Sequence, residues 1–254
     1  MLALSFSFFV TAILYASVGF GGGSTYNALL VLAEVDYRIL PSIALLCNLI
    51  VVSGGVWRFS RAGYVDLRRM MPWVITSVPA AWIGGSLNIS EALFVGLLGF
   101  SLLVAAVWML WPKKNKQQPA KEIINQYHFL PPVIGIVLGL LAGLVGIGGG
   151  IFLAPILYLM RWDSEKKIAA ACSVFILVNS VSGLIGQVMK LGYIEYLGGI
   201  SVYWLLFPAV LIGGQIGSAM GTKYLNPKTL SLMTSLLILY VSARLLWRWF
   251  NMMV

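Results

Sequence analysis

Apolar residues fall in long runs without the alternation of a strand, at 2–18, 39–57, 71–87, 92–111, 130–145, 168–189, 200–220 and 230–250. Such runs predict α-helices rather than barrel strands, whose two faces would alternate over about ten residues. Two shorter runs, 24–33 and 151–160, are about half the roughly 20 residues that cross a bilayer as a helix. Each follows a glycine cluster, Gly19-Phe20-Gly21-Gly22-Gly23 in one case and Gly146-Ile147-Gly148-Gly149-Gly150 in the other. Glycine is costly inside a helix, so both clusters predict a break with a new short helix starting just after it.

The whole pattern occurs twice. Residues 112–129, with Lys113, Lys114, Lys116 and Lys121, are the one polar stretch of any length, and they predict a linker between a membrane repeat at 1–111 and a second at 130–254. Gly63-Tyr64-Val65-Asp66 returns 129 positions later as Gly192-Tyr193-Ile194-Glu195. At that same offset Pro79 to Gly85 returns as Pro208 to Gly214, and Ser53-Gly54 as Ser182-Gly183. The glycine clusters lie 127 positions apart, which needs a two-residue insertion between blocks. Five segments per half is an odd number, so tandem copies must point in opposite directions across a membrane. The predicted fold is an all-α polytopic membrane protein made of two inverted five-segment repeats, each with a glycine-broken short helix. It has about 8 to 10 membrane segments, depending on whether 24–33 and 151–160 cross or re-enter.

Composition agrees with a bilayer: 60% of the 254 residues are apolar and 10% are charged, too few to coat a soluble globule. The net charge of +9 does not point to nucleic acid, because the basic residues sit in short clusters between apolar runs. With ten segments, the clusters 58–69, 112–129, 161–167 and 223–228 share one side and hold thirteen of the seventeen Lys and Arg. Arg38, Lys190, Arg244 and Arg248 lie opposite. Eight parallel spans would give only eleven against six, so the positive-inside rule favours the inverted arrangement with a cytoplasmic linker. The expected location is the cell (cytoplasmic or inner) membrane, multi-pass, with lipid as a partner and a second copy of the chain left open as another. Residues 2–18 have no basic residue before them and are expected to stay in the mature chain. Cys47 and Cys172 sit inside apolar runs and are expected to be buried, inert thiols.

The chemistry follows from the breaks. The first N–H groups of a helix have no intrahelical partner and carry about half a positive charge, so a helix that starts inside the membrane offers an anion site without a charged side chain. The candidate site is therefore Gly21, Gly22, Gly23, Ser24 and Thr25 with Gly148, Gly149, Gly150 and Ile151. Asn27, Asn48, Asn179 and Gln215 are its polar neighbours, since an intramembrane amide lines a pathway or bonds another helix. Gly135, Gly139 and Gly143, and Gly213, Gly217 and Gly221, recur every fourth residue and predict close helix packing instead. No Asp or Glu lies at the centre of a run, and His128 is in the linker. A proton relay, an enzyme's acid or base, a metal centre and a cofactor therefore have no candidate residues. No Walker motif supports ATP hydrolysis.

The twin GxGGG motifs at the start of each half, Pro155 shortly after the second, and the polar linker resemble the sulfite exporter TauE/SafE family of permeases over essentially the whole chain. That resemblance implies transport of small sulfur oxyanions such as sulfite, sulfoacetate or another organosulfonate, in the direction of export. Asn27-Ala28 in the first copy departs from Ala154-Pro155 in the second. The alternative function is a membrane scaffold or assembly subunit that carries no solute, and such a protein needs no polar residues converging on the broken helices.

Overall fold

The computed structural model describes residues 1–17, 19–110, 129–160, 162–191, 199–220 and 227–253. Among these residues there are ten α-helices and no strand: α1 Leu2–Ser17, α2 Gly23–Leu32, α3 Leu40–Arg61, α4 Leu67–Ser86 and α5 Glu91–Leu110 in the first half, then α6 Leu130–Val145, α7 Gly150–Leu159, α8 Glu165–Leu191, α9 Leu206–Met220 and α10 Pro227–Met253 in the second. Both predicted breaks are present, and both short helices begin on the last glycine of their cluster. Residues 112–128, Gly192 to Glu195 and Gly221 lie outside the described residues.

Four starts differ from the hydropathy by three residues or more: α8 and α10 begin three residues early, α4 four residues early and α9 six residues late. α4 begins four residues before its apolar run because the Asp66 carboxylate accepts the Arg69 N–H at 3.1 Å and caps it. α9 begins later than residue 200, since Tyr203 N–H bonds Ile200 and Leu206 N–H bonds Tyr203, closing turns first.

The halves interlock. α4 packs on α6 and α8, α9 packs on α1 and α3, and α3 meets α8 as α5 meets α10. Exchanging each helix for its counterpart in the other half reproduces these pairings, which is the behaviour of a twofold relation. Direction adds to it. Trp73 lies against Gly135 and Ala81 against Gly143, so α4 and α6 run parallel, and Phe9 against Gly213 with Ile13 against Gly217 makes α1 and α9 parallel as well. The counterparts oppose each other: Leu45 lies against Gly183 and Ser173 against Gly55 in α3–α8, and Gly96 against Trp249 and Gly99 against Leu245 in α5–α10.

These directions give the bundle two faces. On one, the 58–69 and 162–167 segments are clipped together. Arg69 donates to Asp163 at 2.7 Å and to the Trp162 carbonyl at 3.0 Å, and Lys167 reaches the same carboxylate at 3.2 Å. Burial alone would raise the Asp163 carboxyl, but the Ser164 N–H, Lys167 and Arg69 together hold it below the usual carboxylate range. Its contribution to stability is therefore present above the unfolded-state carboxylate pKa and fades as pH falls through the lower folded value. On the far face, the α2–α3 loop meets the start of α5 and the end of α10, where Arg248 pairs with Glu91 at 2.7 Å. α1 runs to the clipped face, where Gly19 lies against Phe59 and Ala169, and α2 returns to the far face. α6 and α7 make the opposite hairpin, with Gly146 against Pro41. At 1.5 Å per residue the ten residues of α2 or α7 cover about 15 Å, half a bilayer.

The outer surface is apolar, with Phe6, Ile75, Phe100, Ile136, Ile185, Ile212 and Trp247 all exposed. Among the described residues three helices, α3, α5 and α8, are long and apolar enough to cross a membrane by themselves. Where helices meet, the seams are built from backbone: a side chain at Gly139 would overlap the Ser77 carbonyl, one at Gly143 that of Ala81, and one at Gly217 that of Ile13. The four-residue glycine spacing is thus a packing device here. Gly143→Leu is expected to cost at least about 3 kcal/mol by overpacking and to abolish the monodisperse folded peak in size-exclusion chromatography. Gly63→Ala, with nothing near the position of the new carbon, should lose only the roughly 1 kcal/mol of its left-handed backbone at φ +72°. Equal yields of the two variants would show that the α4–α6 seam tolerates separation.

Candidate functional site

Each break is a tight left-handed turn. Gly19 and Gly22 in the first, and Gly146, Gly148 and Gly149 in the second, have φ between +76° and +88°, a region that costs an L side chain roughly 1–2 kcal/mol. Gly22 and Gly149 occupy the N-cap positions of α2 and α7, and no side chain caps either helix. The first N–H groups of both are therefore left to other partners, with the positive end of each helix behind them.

The two breaks meet at one side chain. Asn48, on α3 and fully buried, lies against Gly21, Gly23 and Gly148 at once. Its Nδ2 donates to the Ile147 carbonyl at 3.3 Å, so a residue of the first half holds the second break. Asn27 makes a similar cross-half bond, donating to the Val145 carbonyl at 2.7 Å. In return Ser173 of α8 donates to the Gly19 carbonyl at 2.5 Å. The Ile147 carbonyl itself lies 2.7 Å from the position a Gly23 Cβ would take, which leaves room for glycine only. Ser180 lies 3.4 Å from the corresponding position at Gly148, and Ile176 covers Gly148 and Gly150.

These bonds leave a definite remainder. The amide N–H groups of Asn27 and Asn48 are taken by carbonyls of the second break, and that of Asn179 by Phe175 of its own helix at 2.8 Å. The Oδ1 atoms of Asn27, Asn48 and Asn179 and the Ser180 hydroxyl are buried without a hydrogen-bond partner among the described residues. An unmade hydrogen bond of this kind costs about 1–3 kcal/mol, and these atoms make the centre of the molecule polar.

The structure thus gathers Gly21, Gly23, Asn48, Gly148, Gly150 and Asn27 around the junction of the breaks. Ser24 is buried in the first turn of α2, and Thr25 is turned to the Tyr15 hydroxyl at 2.7 Å. Gly22 and Gly149 face the Tyr26 and Phe175 rings, and Ile151 is half-buried in the first turn of α7. Gln215 is elsewhere: it is exposed on α9 and accepts from Arg58 at 3.3 Å. Ile176 and Arg58 were not among the sequence candidates, and Ser180 was one of the intramembrane polar residues but not one of the four amides singled out. Ser180 follows Asn179 directly, but nothing in an apolar helix says which of two adjacent polar residues faces the break. The thiols of Cys47 and Cys172 are free and buried, as expected, and no group of metal-ligating side chains occurs among the described residues.

Comparison with known proteins agrees with this architecture. The family model for sulfite exporter TauE/SafE matches residues 4–245. A probable membrane transporter protein of Sinorhizobium fredii is 32% identical over 251 residues, spanning 97% of this chain and 98% of that protein. One of Methanocaldococcus jannaschii is 28% identical over 89% of this chain and 88% of its own length. Sulfite exporter TauE/SafE family protein 1 of Arabidopsis thaliana is 31% identical over 145 residues, 56% of this chain and 32% of that protein. No solved structure matches. With its broken helices meeting inside an apolar-surfaced bundle and a family match across nearly all its length, the chain belongs to the sulfite exporter TauE/SafE family of multi-pass membrane transporters.

Proposed function

We propose that this transporter carries a small sulfur-containing oxyanion, such as sulfite, sulfoacetate or another organosulfonate, out of the cell across the cytoplasmic membrane, with the two glycine breaks as its binding site. The observation that carries this reading is the meeting of both breaks at the buried Asn48, where two uncapped helix N-termini come from opposite halves. A scaffold would have no use for buried amides with unmade hydrogen bonds at such a junction. The antiparallel course of α3 against α8 and of α5 against α10 supports two inverted halves, the arrangement that presents one site to either side in turn. The clipped face, with the arginines of 58–69, is then cytoplasmic.

No Asp, Glu or His is buried among the described residues, and this reading couples no proton to the cycle. Each negative charge leaving a cell with a negative interior gains about 2.3 kcal/mol per 100 mV, roughly a fiftyfold concentration ratio. Export needs no pump on this account. Liposomes containing the purified protein and loaded in turn with labelled sulfite, sulfoacetate, taurine or sulfate test the reading under a potassium–valinomycin clamp. Release of sulfite or a sulfonate should accelerate as the interior is made negative. A rate that ignores the potential and follows an imposed pH gradient would reject electrogenic export, and no release of any of the four would reject the substrate class.

A further inference from the structure

The contacts that join the two halves on the clipped face bear on the candidate site through α7. Arg69, in the first turn of α4, lays its guanidinium over the ring of Trp162 from the second half, 4.7 Å from the centroid. Its two terminal nitrogens are divided between the Asp163 carboxylate at 2.7 Å and the Trp162 carbonyl at 3.0 Å. Lys167 braces the same carboxylate at 3.2 Å, and Lys166 lies over the Tyr64 ring at 5.5 Å. Stacking combined with donation to two acceptors suits the planar fork of arginine, and lysine does not reproduce it.

What Arg69 grips is the end of α7. Trp162 is only 4% exposed, and its N–H donates to the Leu157 carbonyl at 2.9 Å, so the loop folds back on the last turn of that helix. The other end is Gly150, at the junction of the breaks, about 15 Å away for a helix of ten residues. The two attachments differ in kind. At the start of α7 the left-handed Gly148 and Gly149 make a turn without side chains, the kind of element end that absorbs a hinge motion. At its other end the hold is made of hydrogen bonds and an ion pair partly exposed to solvent, which water can replace. The seams at Gly139, Gly143 and Gly217 are backbone against backbone, and parting them would forfeit close contact with nothing to replace it.

We infer that Arg69, Trp162 and Asp163 form a latch on the clipped face that must open in the transport cycle, releasing the end of α7 so that the site is reached from that side. This rests on the proposed place of the site at the junction of the breaks, and not on which solute is carried. Arg69 is a positioning residue: it touches no solute and acts on the site through α7. Closed, the latch holds the start of α7 beside Asn48, which lies against Gly148. Open, the helix swings on its glycine turn away from α8, and water enters from the clipped face.

The two native thiols, both free and fully buried, report on this motion. Cys172 is in α8 beside the start of α7, where its carbonyl lies 3.5 Å from the position a Gly150 Cβ would take, whereas Cys47 is in α3, one residue before Asn48. Purified full chains of wild type, R69Q, R69K and D163N are treated with N-ethylmaleimide, and the label at each cysteine is followed by mass spectrometry. Cys172 should react about tenfold faster in R69Q and D163N than in wild type and about threefold faster in R69K, with Cys47 unchanged in all. A contact that merely stabilised the bundle would, once lost, speed both thiols together. Unchanged Cys172 reactivity in R69Q and D163N, or equal acceleration of both thiols, overturns the inference. A second experiment holds the latch shut. In R69C/D163C, with both native cysteines replaced by alanine, a short bis-methanethiosulfonate linker should stop release of labelled sulfite from liposomes and reductant should restore it, while the linker has no effect on R69C or D163C singly. Release that persists with the latch linked also overturns the inference. If wild type releases no sulfite, the proposed substrate fails and the thiol rates alone decide the latch.

Discussion

Asn48→Asp should lower oxyanion transport by at least about a hundredfold at neutral pH while leaving folded yield near wild type. The substitution keeps the shape of the side chain that touches Gly21, Gly23 and Gly148 and changes only what it presents. An ionised carboxylate would occupy the positive ends of α2 and α7 itself. It would also repel an anion with about 4 kcal/mol at 4 Å and an effective dielectric of 20. It would further turn an oxygen toward the Ile147 carbonyl in place of the donor that now bonds it at 3.3 Å. The variant should recover activity at a pH low enough to protonate the new carboxylate, since the protonated form is neutral and can donate. Flux from pH 5 to 8 in liposomes under a fixed potential measures both effects. Transport by Asn48→Asp within threefold of wild type across that range would remove Asn48 from the site.

The second large effect is expected at the turns. Gly149→Val and Gly22→Val should each abolish measurable transport. Both glycines have positive φ, +76° and +88°, and a β-branched residue is a severe outlier there. Space is short too: a new carbon at Gly149 would come within 2.9 Å of the Phe175 ring, and one at Gly22 within 3.1 Å of the Tyr26 ring. At these two positions glycine lets the turn close against aromatic rings, and that closure is the reason for the prediction. Strain alone, about 1–2 kcal/mol, would leave most molecules folded, so the loss should appear in flux before it appears in yield. Gly149→Ala, unbranched but equally left-handed, should be intermediate. Full transport by either valine variant would mean that the turns are free to rearrange.

Much of the helical frame was legible because it depends on local quantities. An apolar run long enough to cross hydrocarbon must satisfy its own backbone, so α6 at Leu130–Val145 and the starts of α2 and α7 follow from hydropathy and glycine alone. The parallel glycine stripes likewise announced close seams, although only contact with Ser77, Ala81 and Ile13 says which helices form them. Asp66 and the turns at 200–206 moved two helix starts, since a cap or a 3₁₀ turn is a matter of single hydrogen bonds that mean hydropathy does not register.

Which side chains share a site was decided elsewhere. Asn48 and Gln215 look alike in the sequence, each a lone amide in an apolar helix, yet one is locked between the two breaks and the other is exposed beside Arg58. The difference is the rotation of α3 and α9 about their own axes. In helices that are apolar nearly all round, no hydrophobic stripe records that angle. The same holds for Arg38 and Lys190, more than 150 positions apart, which border one cavity because α8 runs antiparallel to α3 and ends beside its start. The sequence by itself determined where the chain turns helical, where it breaks, and that the pattern repeats. Only the tertiary structure decided that the two breaks meet at Asn48, because that meeting is made by cross-half contacts whose geometry depends on backbone-to-backbone packing at glycine.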